Sequence, residues 1–250
     1  MRSVSRFSLP LYSEEMRILV LLWLAAGCGR LAFDEVRLQP DSAPPSDGPT
    51  PIPGFVRGFV VDCGLVTRCL VETPGVTAGK VLVVAVTYNP QTVEVASIED
   101  DVGRGFSQAI APIAWSPTVG QFRSELWWTR TQATNSLVVT LSGSPTSLLA
   151  VYVNEFIATE VDQSAAASGI ATAATAFSSG TRTVASAPEI IFGHGEGQGA
   201  TIHPALGFAA QTDKNANIEE TKLVWTPGTY DAQFTIDGAG DWVALMATLR

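Results

Sequence analysis

The chain has 250 residues, of which 46% are hydrophobic and 16% charged, with a formal net charge of −9 at pH 7. A surface of that sign repels nucleic acid, so no nucleic-acid partner is expected. So much apolar residue beside so little charge excludes a chain that is disordered over most of its length and provides for a large core.

From the N-terminus, Met16-Arg17 precede an unbroken apolar run at 18–26, then Gly27 and Cys28. The run falls short of the about 20 apolar residues that a spanning helix needs. With small residues at Ala25 and Gly27 it has the layout of an export signal cut before Cys28. The signal peptide is expected within residues 1–27, with Met16 as its true start and 1–15 either upstream of it or an extended n-region. The segment resembles the signal of bacterial lipoproteins, in which the cysteine is acylated and becomes the new N-terminus; Ala25 stands where that family prefers Leu. The resemblance implies lipidation of Cys28, a membrane partner reached through the lipid anchor, and localisation in the cell envelope. Gly29, in place of the Asp that favours inner-membrane retention in the family, implies the outer membrane. Acyl chains contribute about 0.8 kcal/mol per buried CH₂, and more than one chain makes the anchor stable.

The chain has 3 cysteines. Acylation of Cys28 leaves Cys63 and Cys69, which flank a short segment and are expected to form a hairpin-closing disulfide of an exported protein. Residues 28–54 then form the lipidated N-terminus and a linker. Within it, 39–54 reads QPDSAPPSDGPTPIPG. Prolines at that density forbid helix and central strand and favour an extended, disordered tether, roughly 50 Å long at about 3.1 Å per residue.

The folded domain is expected over 55–250 as an all-β chain, a two-sheet antiparallel β-sandwich of jelly-roll type. Strands are predicted at 55–62, 80–88, 92–99, 124–130, 136–142, 147–156, 189–193, 206–211, 221–225, 230–236 and 241–249. Each is a β-branched or aromatic stretch bounded by Gly, Pro, Ser, Asn or Asp. The runs at 81–86 and 243–247 are apolar at consecutive positions, which predicts strands covered on both faces. The Ala/Ser/Thr-rich stretch 164–176 is read as a loosely ordered edge or a long loop.

The pieces Val76-Thr77-Ala78-Gly79-Lys80-Val81-Leu82-Val83-Val84-Ala85-Val86, Leu126-Trp127-Trp128-Thr129, Ser136-Leu137-Val138-Val139-Thr140-Leu141-Ser142, Thr226-Pro227-Gly228-Thr229-Tyr230-Asp231-Ala232-Gln233-Phe234-Thr235 and Asp241-Trp242-Val243-Ala244-Leu245 carry a further resemblance. Together they look like an uncharacterised bacterial β-sandwich module of surface and phage-associated proteins. What they share with it are strand signatures, so the resemblance implies fold and not activity. Cys63 and Cys69 depart from it.

Chemistry is sparse. The 2 histidines, His194 and His203, lie in a stretch where glycine alternates at 193, 195, 197 and 199. The plainer reading is a solvated glycine-rich turn; the sharper one is a metal site of His194, Glu196 and His203 if the loop folds back. Acidic turns at Glu99-Asp100-Asp101 and at Asp237 with Asp241 are candidate calcium ligands, and no other cofactor is expected. Trp127 and Trp128, adjacent on one strand, point to opposite faces, and one of them is a candidate stacking platform for a sugar. No nucleophile motif occurs and no catalytic residue is assigned. The expectation is a non-enzymatic, lipid-anchored envelope protein that binds an extracellular glycan or surface protein. The alternatives are a carbohydrate-active hydrolase using paired carboxylates such as Glu125, Glu155, Glu160 and Asp162, and a structural envelope component with no small ligand.

Overall fold

The computed structural model describes residues 51–116, 120–214 and 216–250. The export signal, Cys28 and the linker up to residue 50 lie outside the described residues. The described residues belong to one compact unit. Among the described residues every regular element is a strand: β1 (Gly54–Asp62), β2 (Arg68–Val76), β3 (Val81–Tyr88), β4 (Val95–Asp100), β5 (Ser107–Trp115), β6 (Phe122–Arg130), β7 (Thr134–Leu141), β8 (Leu149–Ile157), β9 (Val161–Ala171), β10 (Thr175–Ser178), β11 (Arg182–Val184), β12 (Glu189–Gln198), β13 (Ile202–Pro204), β14 (Ala209–Lys214), β15 (Asn217–Val224), β16 (Gly228–Tyr230), β17 (Gln233–Ile236) and β18 (Gly240–Leu249).

The two largest sheets have five strands each, in the orders β1-β8-β3-β6-β5 and β14-β15-β12-β18-β9. They face one another across a core that includes Val83, Leu126, Phe156, Phe192 and Leu245. The sheet β2-β7-β4 covers the far side of the first through Val71, Leu82, Val84, Leu137 and Val151. The sheet β10-β17-β13 covers the far side of the second through Phe177, Ile191, Phe234 and Met246. Four layers result. β3 and β8 lie between two cores, as do β12 and β18, which is why their apolar residues run consecutively instead of alternating.

The all-β sandwich is met twice. If β9, β10, β12, β13, β14, β15, β17 and β18 are matched with β1 to β8 in turn, both orders coincide: 1-8-3-6-5 in the inner sheet and 2-7-4 in the outer one. This is jelly-roll-like connectivity with the fifth strand moved onto the inner sheet's edge. β11 and β16 add a separate two-stranded ribbon to the second half. The single two-sheet sandwich expected over 55–250 is therefore two sandwiches of one topology, joined through their five-stranded sheets.

The stretch read as a loose edge or loop, 164–176, is largely β9, a full-length edge strand paired with β18 from Val161 to Ala171. Its small residues have a packing reason. Gly169 pairs with Trp242, and a Cβ there would stand 2.7 Å from the indole. Ser164 donates its hydroxyl to the Ala109 carbonyl of β5 at 2.7 Å, linking the edges of the two halves. The Cys63–Cys69 disulfide is present and closes the β1–β2 turn with the Cα atoms 5.7 Å apart.

Candidate functional site

The glycine-rich stretch is not a solvated turn. It is the central strand β12, hydrogen-bonded to β15 on one side and β18 on the other. A period of two puts its glycines on one face and His194 and Glu196 on the other. A Cβ at Gly193 would lie 2.7 Å from Ala232, at Gly195 2.8 Å from Phe234, and at Gly197 2.8 Å from Ile202. The bare face thus admits the outer sheet at close range, and the other face delivers two ionisable groups into the seam between the halves.

There they meet a chain of polar side chains. Trp115 donates its indole N–H to the Ser124 hydroxyl at 2.9 Å, and that hydroxyl pairs with Thr87 at 2.7 Å. Thr87 donates in turn to the Glu196 carboxylate across the seam. Glu196 lies 2.5 Å from His194 Nε2, and a Glu219 oxygen lies 3.4 Å from the ring's Nδ1. Asn154 donates from the first half to Glu219 at 2.8 Å. The Tyr152 ring stands edge-on to the imidazole, 4.7 Å between centroids. Relative exposure is 0% for His194, 1% for Glu196 and 0% for Glu219. Burial alone would lower the imidazole's pKa, but the charge and hydrogen bond of Glu196, and then those of Glu219, raise it to about 9. The ring is therefore an imidazolium at neutral pH, held between carboxylates. A cavity of about 240 Å³, walled by Trp115, Phe122, Leu148 and Asn217, ends at Glu196.

His203 does not join this group. It sits on β13 in the outer sheet, 3.7 Å from Asp237, with its side chain 54% exposed. Among the described residues no cluster of three or more His, Cys, Asp or Glu is arranged to hold a metal ion. The metal reading of His194, Glu196 and His203 is thereby corrected: period two brings His194 and Glu196 together on one face of β12, but His203 lies apart from them on β13 of the outer sheet. The calcium candidates are spent locally. Asp100 accepts from the backbone N–H groups of Val102 and Arg104, Asp101 from the Thr134 hydroxyl and the Asn135 N–H, and Asp237 from the Thr201 N–H. Asp241 is buried on β18, Glu99 is exposed on β4 and bridges to Gly105, and neither converges with the others on a shared ion.

Trp127 and Trp128 both lie half-buried on β6. Trp128 packs against the seam core, and Trp127 against the core under the outer sheet. Trp127 donates its N–H to Glu125 at 2.9 Å; Tyr88 (2.7 Å) and Gln108 (2.6 Å) donate to the same carboxylate. Burial raises the Glu125 pKa against those donors. The other carboxylates proposed for hydrolysis are also engaged. Glu155 pairs with Arg57 at 2.7 Å, and Arg250 bridges Glu160 at 2.6 Å and Asp162 at 3.2 Å. The openly displayed tryptophan is Trp225, 62% exposed just past the end of β15. Its flanks, Val224 and Thr226-Pro227, mark a strand end before a turn, which is the one sequence signal that could have singled it out.

Comparison with known proteins finds no matching family model, no matching curated protein and no matching solved structure.

Proposed function

We propose that this chain is an exported, lipid-anchored envelope protein whose paired jelly-roll body is a non-catalytic binding module for an extracellular glycan or surface protein. The observation that carries the reading is the burial of the chain's histidine–carboxylate group: His194, Glu196 and Glu219 each have 1% exposure or less. Hydrolysis by paired carboxylates requires two reachable acids about 5–9 Å apart around a bound sugar, whereas Glu196 and Glu219 are buried and engaged by His194, Thr87 and Asn154. The disulfide suits an oxidising compartment, and the sequence up to Cys28 supplies the export signal and anchor. Trp225 offers a flat apolar face of the kind that stacks on sugar rings.

The test is binding of the purified chain to immobilised envelope and extracellular polysaccharides, with product release followed in parallel. Retention without release of sugar, reduced in Trp225→Ala, is the expected result. Reducing sugar released at a steady rate would overturn the non-catalytic reading. Mass spectrometry of the protein from its native cell is expected to find Cys28 acylated.

A further inference from the structure

A cavity of about 540 Å³ is lined by neither the His194 group nor Trp225. Its apolar wall comes from Pro51 and Pro53, where the chain enters β1, from Ile157 and Ala158 at the end of β8, and from Ala187-Pro188 before β12. Lys80, Arg130 and Arg250 also line it. In a chain with a net charge of −9, two of these cations, Lys80 and Arg130, stand beside one apolar hollow without an ion pair among the described residues, while Arg250 is bridged by acids. The acids nearby do not cancel these two charges. Glu160 and Asp162 are both taken by Arg250. Glu189, next to Pro188, is fully buried; burial raises its pKa, and the Thr248 and Ser186 side chains oppose the rise. Lys80 and Arg130 make no ion pair among the described residues. Arg104 adds a further positive charge at this end, since its guanidinium donates to the Arg130 carbonyl.

A volume in the range of small-molecule sites, apolar walls and two uncompensated cations define one kind of occupant. We propose that this cavity binds an amphiphile with a single carboxylate or phosphate head and a short apolar body, the head against Lys80 and Arg130 and the body against Pro51, Pro53 and Ile157. The ammonium acts as a point charge and the guanidinium as a planar fork, and both suit an oxyanion. The apolar body is required because the prolines offer no N–H donor to a second polar group. Membrane lipid and free metabolite both present this chemistry.

Calorimetric titration of the full chain with octanoate, octyl phosphate and uncharged octanol tests the proposal, together with co-sedimentation on phosphatidylcholine vesicles with and without phosphatidylglycerol. The expected result is saturable binding of both anions, with octanol about tenfold weaker or worse. The Lys80→Glu/Arg130→Glu variant should lose at least about tenfold in affinity. It should also melt as the parent does, since neither side chain holds an ion pair. Binding only to phosphatidylglycerol vesicles, lost in the same variant, would assign the head to a membrane lipid; binding of the soluble anions alone would assign it to a free ligand. Binding of octanol as tight as that of octanoate, binding unchanged in the charge-reversal variant, or no saturable binding of any anion would overturn it.

Discussion

The Asn154 side-chain amide donates to the Glu219 carboxylate at 2.8 Å, and the bond runs from β8 of one jelly-roll half to β15 of the other. Thr87 and Glu196 repeat the arrangement, again with the donor in the first half and the acid in the second. The two halves thus meet through a core that is apolar toward one end and ionic toward the other. The ionic part contains two carboxylates around one imidazolium, and their compensation by neutral donors from the opposite sheet keeps the buried charge tolerable.

Removing one member of this group should cost far more than replacing the group. Glu196→Ala leaves the imidazolium with Glu219 alone and the Thr87 hydroxyl with Ser124 alone, so a loss of about 3–5 kcal/mol is expected in urea unfolding. The joint replacement His194→Phe/Glu196→Leu should recover a large part of that loss. A double-mutant cycle with purely additive effects would show that the two residues do not act as a pair.

Stability should fall as pH rises above neutrality. The folded-state pKa of His194 is raised to about 9 from 6.5, and burial raises that of Glu220 to about 8 from 4.5. In both cases the folded state holds a proton that the unfolded state has lost. Their contribution is whole below the unfolded pKa and is lost as pH climbs through the folded one. The window is therefore about pH 4.5 to 8 for Glu220 and about pH 6.5 to 9 for His194. Thermal melts from pH 6 to pH 10 should show a decreasing Tm, and a curve that is flat or rising across that span would contradict both assignments.

The glycine face of β12 should not accept a methyl group. In Gly195→Ala the new carbon would meet the Phe234 ring at 2.8 Å, and neither the central strand nor the outer sheet can retreat without opening the core. A loss of about 1–3 kcal/mol is expected as a lowered urea midpoint with an unchanged m-value.

The β1–β2 disulfide closes a short loop, so its contribution should be modest. Cys63→Ser/Cys69→Ser should lose about 2 kcal/mol and remain folded. Loss of the native near-ultraviolet signal in that variant would mean that the bridge is essential to the first sandwich.

What the sequence revealed follows from how each strand is buried. β3, β8 and β18 carry consecutive apolar residues because they lie between two cores, and they were legible for that reason. β2 and β5 are harder to see in the sequence, since they contain Pro74-Gly75 and Pro112, which are tolerated because both strands lie at sheet edges where a lost ladder donor costs little. β9 was missed because small residues that make room for Trp242 and for β5 look like a loop. In β12 the alternation of glycine with His and Glu is itself a period of two, masked by a glycine content that resembles a turn's. The duplication was hidden because β3 and β12 occupy the same place in the two halves with different residues, VLVVAVTY in one and EIIFGHGEGQ in the other. That Trp127 and Trp128 diverge is legible from their adjacency on a strand; that each packs against a core is not, because it depends on the sheets lying over the two faces of β6.

The buried His194 group is the observation on which the proposed non-catalytic reading rests, and the imidazole can be observed directly. Nitrogen-15 NMR of the two histidines, with exposed His203 as the internal comparison, should find His194 charged until the pH approaches 9 and its ring N–H protons slow to exchange with water. A His194 ring that is neutral at pH 7, or that exchanges as fast as His203, would show the seam open to solvent and contradict its structural role.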